Sequence, residues 1–249
     1  MTVVALERVS VSFPIYGLSN RSLKKRLLKA GTQARIAPDS HERITVRALR
    51  DVSLEIQEGD WVGIVGVNGA GKSTLLRTIA GIYEPASGAC RVAGSVTTLF
   101  SINLGIDQEA TGYENIVLRG RAAGRRKADI EQRAGEIAEF TELGAHLNLP
   151  VHTYSAGMRA RLAFAISTAV NPDILLMDEW LGAGDQGFID KARARIQAMV
   201  DDARVLVLAS HNKRLLQRVC DKAIFLDGGT LKAFGPIDEV MAAYEGHGR

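Results

Sequence analysis

Eight consecutive residues have the types and the spacing of a loop that binds phosphate groups. The segment reads Gly66-Val67-Asn68-Gly69-Ala70-Gly71-Lys72-Ser73, which matches the pattern G-x-x-x-x-G-K-[ST]. Glycines leave room for backbone N–H groups around phosphate oxygens, a lysine places positive charge at the terminal phosphates, and a serine hydroxyl can bind magnesium. The alternative interpretation, a glycine turn beside a solvated lysine, would explain only part of the match to this pattern. We therefore predict a nucleoside triphosphate site that comprises Gly66, Asn68, Gly69, Ala70, Gly71, Lys72, Ser73 and Thr74.

Two acidic residues follow a second apolar run and could complete this site. The run Ile174-Leu175-Leu176-Met177 precedes Asp178 and Glu179, as in a buried strand that ends beside the first one. Asp178 is predicted to hold magnesium through its water shell, because this hard cation prefers oxygen ligands and keeps several waters. Glu179 is predicted to polarise the attacking water. The alternative is that both acids only end a strand at the surface, which is a weaker interpretation beside a phosphate loop.

The elements that must position these residues alternate between strands and helices. The apolar run Trp61–Val65 leads into the phosphate loop, and a helical pattern begins at Ser73. Residues 3–13 alternate apolar and polar side chains, as a half-buried strand does. Helical spacing dominates residues 112–170, and strands and helices alternate again from Ile174 onwards. This order predicts an α/β fold with a separate helical subdomain.

Composition and charge limit the classes of protein to which the chain can belong. The 249 residues are 46% hydrophobic and 24% charged, which is enough apolar material for one large core. The net charge of +3 is too small to indicate a nucleic-acid partner. No apolar stretch approaches the roughly 18 residues of a membrane span, and the first residues lack a secretory signal, so a cytosolic chain is expected. Cys90 and Cys220 lie far apart in sequence and are expected to be inert buried thiols.

Residues 14–44 interrupt the strand pattern and have the character of an inserted segment. Within them, residues 21–29 read RSLKKRLLK, with five basic residues, three leucines and no acid. A helix over this stretch would be basic and amphipathic. Two interpretations stay open: a solvated helix that packs its leucines on its own domain, and a helix that faces the membrane or an anionic lipid carrier.

A serine-glycine motif connects the chain with a known family. Tyr154-Ser155-Ala156-Gly157-Met158 opens a helical stretch, and its serine lies 23 residues before Asp178. The order of phosphate loop, helical insert, serine-glycine motif, acid-terminated strand and His211 resembles the ATP-binding cassette (ABC) ATPases over nearly the whole chain. The usual family signature is Leu-Ser-Gly-Gly-Gln, of which Ser155 and Gly157 are retained. These two positions are the demanding ones, because a hydroxyl and bare amides at a helix N-terminus must face a terminal phosphate.

The resemblance implies an α/β fold with a phosphate-loop (RecA-like) ATPase core, an antiparallel β subdomain and a helical subdomain. Residues 1–249 would form a single ABC nucleotide-binding domain. The ATPase core and the antiparallel β subdomain would take residues 1–99 and 171–249. The helical subdomain with the signature would take residues 100–170, and residues 14–44 would be the inserted segment.

The resemblance also implies two cofactors, ATP and Mg²⁺, and the residues that act on them. Glu179, His211 and Lys72 would be the catalytic residues, and His211 would contact the terminal phosphate. Ser73 and Asp178 would hold the metal. For His211 an alternative stays open, namely a satisfied polar residue after the end of a strand.

A second set of residues would act between two copies of the chain or on the base. The resemblance implies that Ser155, Ala156 and Gly157 reach the ATP of the other copy, so that two nucleotides join a homodimer. Asp185 would touch the opposite subunit. Phe13 would stack on adenine, although an ordinary core aromatic is the open alternative there.

One residue of the family pattern is missing, and this departure indicates a branch of the family. A glutamine usually stands between the phosphate-loop helix and the helical subdomain, but residues 99–107 contain none and Gln108 lies too late. Ser101 and Asn103 are the candidates to replace it. With the Tyr-Ser-x-Gly-Met signature, the leader Phe-Pro-Ile-Tyr and the stretch Thr-Gly-Tyr-Glu-Asn-Ile, this resembles the branch that exports lipid-linked surface polysaccharides. O-antigen exporters are its best-known members, and capsule, teichoic acid and galactan exporters are nearby.

This branch implies an ATPase that powers export across the cytoplasmic membrane through a separate integral membrane permease. The chain would be a peripheral subunit at the cytoplasmic face of the membrane, and the helical subdomain with the loop at residues 101–110 would contact the permease. A second copy and the lipid-linked polysaccharide are the other expected partners, and no nucleic acid is expected. Some members carry a further C-terminal carbohydrate-binding domain. This chain ends soon after its last helix, so recognition of the polysaccharide's chain terminus by this subunit is not expected.

Three other functions remain as alternatives. The ATPase of another transporter, for teichoic acid, capsule or an imported nutrient, would share the core motifs, and the missing glutamine and the leader argue only against the nutrient importer. A nucleic-acid-handling cassette protein would need long heptad arms or two cassettes in one chain, and neither is present. A binding module without turnover would be expected to lack Glu179 or His211, and both are present.

Overall fold

The computed structural model describes residues 1–14, 36–38, 44–100, 105–122, 126–170, 172–178 and 186–247. Some of the predicted features lie outside the described residues: Glu179, Asp185, Ser101, Asn103 and the basic segment at 21–29.

The described residues form ten strands, seven α-helices and two short 3₁₀ helices. The strands are β1 (Thr2–Pro14), β2 (Ile36–Pro38), β3 (Ile44–Gln57), β4 (Trp61–Val65), β5 (Ser87–Val92), β6 (Val96–Thr98), β7 (Ile174–Asp178), β8 (Val205–Ala209), β9 (Lys222–Asp227) and β10 (Thr230–Pro236). The helices are α1 (Lys72–Ile79), α2 (Gly112–Ala122), α3 (Lys127–Thr141), α4 (Ala156–Ser167), α5 (Gln186–Asp202), α6 (Lys213–Val219) and α7 (Ile237–His247). The 3₁₀ helices are Gly144–Asn148 and Val151–Thr153.

One sheet is antiparallel and has the strand order β2-β3-β1-β5. The apolar alternation of β1 explains its buried face, since Val4, Leu6, Val9 and Val11 are at most 2% exposed. A register shift between Leu6 and Val9 marks a β-bulge, after which the alternation continues. Along the pairing with β3, Phe13 lies opposite Val46. The sheet therefore brings the end of β1 beside the start of β3.

The second sheet has the strand order β10-β9-β4-β8-β7-β6. Strand β4 pairs in parallel with β8 and β9, and β9 and β10 form an antiparallel hairpin. Residues 205–209 of β8 are 0% exposed, as expected for a continuous apolar run that is buried on both faces of a parallel sheet. Because β4 and β8 are parallel, their carboxyl ends share one edge of the sheet, where ligands bind in open α/β folds. The phosphate loop follows β4 at this edge, and His211 comes two residues after β8.

Contacts divide the chain into two compact units. One unit comprises Met1–Val96, Leu176–Glu179 and Arg204–Arg249, and the other comprises Thr97–Leu175 and Trp180–Ala203. Helix α5 thus belongs with the helical unit, whereas the sequence placed residues 171–249 with the ATPase core. The domain boundaries drawn from the sequence stay a prediction.

Three aromatic rings explain why α5 groups with the helices before it. Phe140 of α3, Phe164 of α4 and Phe188 of α5 contact one another with ring centroids 5.8 to 5.9 Å apart. The guanidinium of Arg161 lies 5.0 Å from the centre of the Phe188 ring. Such aromatic and cation–π contacts stabilise the packing beyond what the burial of apolar area contributes. Helices α3, α4 and α5 are consequently tied together at one cluster.

The helices and the thiols of the described residues bear on two expectations from composition, and the expectation that both thiols are buried is wrong for Cys90. None of the helices in the described ranges combines the length and the apolar character that crossing a membrane requires. Cys220 is buried, and burial raises the pKa of its thiol to about 12. Cys90 is only half-buried, and partial burial raises the pKa of its thiol as well. Because the thiolate is the reactive form, both thiols are weak nucleophiles near neutral pH.

Candidate functional site

The phosphate loop joins β4 to α1, as the sequence predicts. Gly66 directly follows β4 and has a φ of +153°, and a Cβ there would lie 2.3 Å from the carbonyl oxygen of Leu226. Only glycine fits so close to the neighbouring strand. Helix α1 begins at Lys72, so its N-terminal N–H groups point into the loop. The fold therefore builds an anion-binding turn at a helix N-terminus.

Lys72 and Ser73 occupy the first turn of α1 and already have partners in the chain. Lys72 is 8% exposed, and its ammonium donates to the carbonyl oxygens of Gly66 at 2.7 Å and Val67 at 3.2 Å. The hydroxyl of Ser73 donates to a carboxylate oxygen of Asp178 at 2.5 Å. Asp178 is the last residue of β7, so the predicted second acid-terminated strand does end at the phosphate loop.

A cavity of about 680 Å³ lies over the loop. Its lining brings together the residues predicted for the site at 68–74 with Asp178 and His211. It also includes Val46, Arg47 and Ala48 of β3, which the sequence analysis missed because nothing local marks a strand residue as a cavity wall. The roles of the lining residues stay predictions.

Phe13 is half-buried near this region but is not among the residues that line the cavity. Its ring meets the ring of Tyr83 edge to face, with centroids 4.9 Å apart. It pairs along the strands with Val46, which does line the cavity. Its role as the residue that stacks on adenine stays a prediction.

The serine-glycine motif lies in the helical unit, at the start of α4. Ser155 is the N-cap, and its side-chain oxygen accepts from the Met158 amide at 3.2 Å. Ser155, Ala156 and Gly157 are all exposed. Tyr154, which stands where the family signature has leucine, is 3% exposed and donates from its hydroxyl to the carbonyl oxygen of His146 at 2.6 Å. Burial raises the pKa of the Tyr154 hydroxyl, so it stays protonated and anchors the motif.

The turn of the last hairpin supports the phosphate loop from one side. The amide of Gly229 donates to the carbonyl oxygen of Ala70 at 2.9 Å, and the Gly229 carbonyl accepts from the Arg50 amide at 2.7 Å. The guanidinium of Arg50 donates to the Gly228 carbonyl at 3.0 Å. This turn lies more than 150 residues from the loop in sequence and is a positioning element that the motif does not reveal.

A Gly229→Ala substitution is expected to weaken ATP binding about tenfold. Gly229 has a φ of +82°, and a Cβ there would lie 2.5 Å from the carbonyl oxygen of Ala48, which lines the cavity. The strain of about 1–2 kcal/mol moves the turn away and removes its bond to Ala70, and about 1.4 kcal/mol is tenfold in affinity. Gly235→Ala on the same hairpin is the control, because a Cβ there meets nothing within 4 Å. An unchanged KM for ATP in Gly229→Ala would contradict the role of the turn.

The chain is similar in sequence to known transport proteins. The family model described as ABC transporter matches residues 49–182. The O-antigen export system ATP-binding protein RfbE of Yersinia enterocolitica is 43% identical over 231 residues, which cover 93% of this chain and 97% of that protein. The teichoic acids export ATP-binding protein TagH of Staphylococcus haemolyticus is 36% identical over 242 residues, which cover 97% of this chain and 88% of that protein.

Solved structures share the fold. An ATP-binding subunit of an ABC transporter superimposes with a TM-score of 0.68 at 22% identity, over 98% of this chain and 94% of that one. The ATP-binding cassette MJ0796, solved as a dimer in a post-hydrolysis state with ADP and Pi, gives a TM-score of 0.65 at 21% identity, over 94% and 98%. Identities this low show a common fold alone.

The buried parallel strand, the glycine loop and the Ser73–Asp178 bond define a phosphate-loop nucleoside triphosphatase. Within that class, the chain belongs to the ABC transporter family, and it is an ABC transporter ATPase that binds ATP. The predicted cassette fold, with its antiparallel and parallel sheets, is confirmed.

Proposed function

We propose that the chain is the ATP-hydrolysing subunit of an exporter for a lipid-linked surface polysaccharide of the O-antigen type. The observation that carries this proposal is the 43% identity to an O-antigen export protein over 97% of that protein's length. The polysaccharide crosses the cytoplasmic membrane through a separate permease, and the chain sits at the cytoplasmic face as a peripheral subunit. The helical unit with the segment at 101–110 meets that permease.

The site geometry supports Mg²⁺ as the second cofactor beside ATP. The Ser73 hydroxyl and the Asp178 carboxylate offer two oxygen donors within 2.5 Å of each other, beside the positive charge of Lys72. Among the described residues there is no cluster of three or more His, Cys, Asp or Glu side chains that could hold a metal. Two protein oxygens suit a cation that takes its other ligands from phosphates and water. The metal would neutralise charge on the phosphates as the bond breaks.

Within this site we assign a task to each reacting group. Lys72 binds the terminal phosphates, Glu179 accepts a proton from the attacking water, and His211 contacts the terminal phosphate from the end of β8. His211 lines the same cavity as the phosphate loop, which supports its assignment. Phosphoryl transfer requires mainly positioning and charge stabilisation, which these groups supply.

Two copies of the chain share each ATP in our proposal. Ser155 and Gly157 are exposed at the N-terminus of α4, where the helix dipole and bare amides favour an anion. They complete the triphosphate pocket of the second copy, and Asp185 contacts that copy as well. Because ATP bridges only the closed pair, it stabilises closure by its differential affinity, and hydrolysis reopens the pair. Closing and opening then move the permease.

Mixed dimers test whether the sites are shared. Ser155→Ala alone is expected to cost about 3 kcal/mol of transition-state stabilisation, and Lys72→Met alone to weaken ATP binding on the order of 10²-fold. A mixed dimer keeps one complete site, because the intact loop of one chain meets the intact Ser155 of the other. In an equal mixture, half of randomly formed dimers are mixed and each keeps one of two sites, so turnover recovers to roughly a quarter of wild type. Absence of recovery would contradict shared sites.

The polysaccharide itself is tested in vesicles that hold the chain and its permease. A lipid-linked neutral polysaccharide is expected to stimulate ATP turnover and to appear in the lumen. Teichoic acid is the second candidate, because a teichoic acid export protein is 36% identical over 97% of this chain. Stimulation by a lipid-linked polyol phosphate alone would favour it, and ATP-driven release of a free nutrient from the lumen would favour an importer. Vesicles that carry Lys72→Met chains are the control.

A further inference from the structure

The segment before α2 is hydrogen-bonded to the segment that leads into the signature serine. The Val151 amide donates to the Ala110 carbonyl at 3.0 Å, and the His152 amide donates to the Gln108 carbonyl at 2.9 Å. Thr111 and Pro150 form an antiparallel bridge. These contacts join residues 107–111, which we name the inner segment, to residues 150–152, which come just before Ser155. The inner segment overlaps the proposed permease contact at 101–110.

Asn115 holds the inner segment in place from the first turns of α2. Its side chain is 0% exposed and lies within a polar network of the helical unit. The carboxamide nitrogen donates to the carbonyl oxygens of Asp107 at 2.8 Å and Thr111 at 3.0 Å, and the carboxamide oxygen accepts from the Asp107 amide at 2.8 Å. Asparagine thus uses both of its donor hydrogens and one acceptor position. A buried and satisfied network of this kind fixes one conformation.

The start of α2 also touches residues 147–155, which we name the signature arm. A Cβ on Gly112 would lie 2.6 Å from the hydroxyl oxygen of Tyr154 and 2.7 Å from a methyl group of Leu147. Tyr154 precedes Ser155, and its carbonyl accepts from the Arg159 guanidinium at 2.5 Å. The inner segment, the start of α2 and Tyr154 therefore form one hydrogen-bonded block that ends at Ser155.

We infer that Asn115 is a positioning residue for the signature serine, and that it links displacement of the inner segment to the position of Ser155. This inference rests on the proposed function, in which the permease touches residues 101–110 and Ser155 serves the ATP of the second copy. A push on the inner segment moves Ser155 because backbone hydrogen bonds join that segment to Val151 and His152, and the Asn115 carboxamide holds the segment in one conformation on α2. Asn115 does not touch ATP in this arrangement and acts through Ser155.

Asn115→Leu removes the carboxamide and keeps a similar side-chain volume. We expect turnover of the homodimer to fall on the order of 10²-fold, because displacing a group such as Ser155 by about 1 Å has an effect of that size. ATP affinity is expected to stay unchanged, since the phosphate loop lies in the other unit. Asn148→Leu is the matched control, because Asn148 is an exposed asparagine of the same helical unit. Gly112→Ala is a second, independent variant, which disturbs the same block at Tyr154.

Mixed dimers show whether Asn115 acts through Ser155 or on the phosphate loop of its own chain. Asn115→Leu chains mixed with Lys72→Met chains are expected to recover the same turnover as Ser155→Ala chains mixed with Lys72→Met chains. Asn115→Leu mixed with Ser155→Ala is expected to recover nothing, because both signature arms are then damaged. If the Asn115→Leu and Ser155→Ala mixture recovered turnover, Asn115 would act on its own phosphate loop and the inference would be wrong.

The same three mixtures distinguish failure of the inference about Asn115 from failure of the proposed shared site. If only the Ser155→Ala and Lys72→Met pair recovers, Asn115→Leu damages the whole chain and the inference is overturned while shared sites stand. If that reference pair recovers nothing, the shared site fails and the inference fails with it. Gly112→Ala must repeat the Asn115→Leu pattern in every mixture. In complexes with the permease, Asn115→Leu is expected to lose the stimulation of turnover that Asn148→Leu keeps.

Discussion

A Glu179→Gln chain is expected to bind ATP with unchanged affinity and to hydrolyse it about 10²–10⁴ times more slowly. The amide has the shape of the carboxylate but cannot accept a proton from the attacking water. The proposed metal and phosphate contacts are assigned to other residues, among them Ser73 and Asp178, which are hydrogen-bonded to each other, so the substitution is expected to leave those contacts in place. Phosphate release and the Kd for ATP, measured on one preparation, check both halves of the prediction.

The matched control makes the same chemical change at an exposed position. Glu245 of α7 pairs with Lys213 at 3.0 Å, and its side chain is 61% exposed. Glu245→Gln is expected to keep wild-type turnover, since exposed ion pairs contribute little to stability. Wild-type turnover in Glu179→Gln as well would show that another group accepts the proton.

The slowly hydrolysing Glu179→Gln variant also tests the proposed ATP-bound dimer. With ATP bound and hydrolysis blocked, Glu179→Gln chains are expected to accumulate as dimers, because in the proposed arrangement ATP bridges two chains and is not removed. Mass measured by light scattering should double with ATP and stay at the monomer value with ADP. A monomer in the presence of ATP, both alone and with the permease, is incompatible with a shared triphosphate pocket.

The parts of the site that follow from local sequence were the predictable ones. The apolar run before Gly66 and the fixed spacing to Lys72 and Ser73 define a strand, a turn and a helix within a few residues. Asp178 was equally visible because it ends an apolar run. These features depend on neighbours in sequence, so a single chain suffices to identify them.

Long-range features left no signal in the sequence. Val46 and Ala48 line the cavity only because β3 passes the loop, and Gly229 supports Ala70 from more than 150 residues away. The stretch around Asn115 was recognised as a mark of the exporter branch, but nothing in an amphipathic pattern shows that this asparagine is fully buried. Contacts of this kind depend on how distant strands and helices come together in three dimensions, which the periodicity of one segment does not specify.

Removal of the Lys72 charge is also expected to have a large effect. This effect is on the affinity for ATP rather than on the turnover of bound ATP. Lys72→Met keeps an unbranched side chain of similar length and removes the ammonium. Two charge-assisted hydrogen bonds of about 1.5 kcal/mol each amount to on the order of 10²-fold in ATP affinity. Without ATP, the Lys72→Met chain also lacks the donor for the Gly66 and Val67 carbonyls, so its Tm without nucleotide must be measured separately.

Thermal unfolding with and without ATP separates the two effects of Lys72→Met. A ligand that binds only the native state raises its stability by RT ln(1 + [L]/Kd), so ATP should raise the Tm of the wild-type chain. Lys72→Met is expected to show no such rise, whatever its Tm without nucleotide. Lys232→Met is the control, because Lys232 is exposed on β10, and this variant should keep the full rise. An ATP-induced rise of wild-type size in Lys72→Met would mean that the backbone of the loop binds the triphosphate without the lysine.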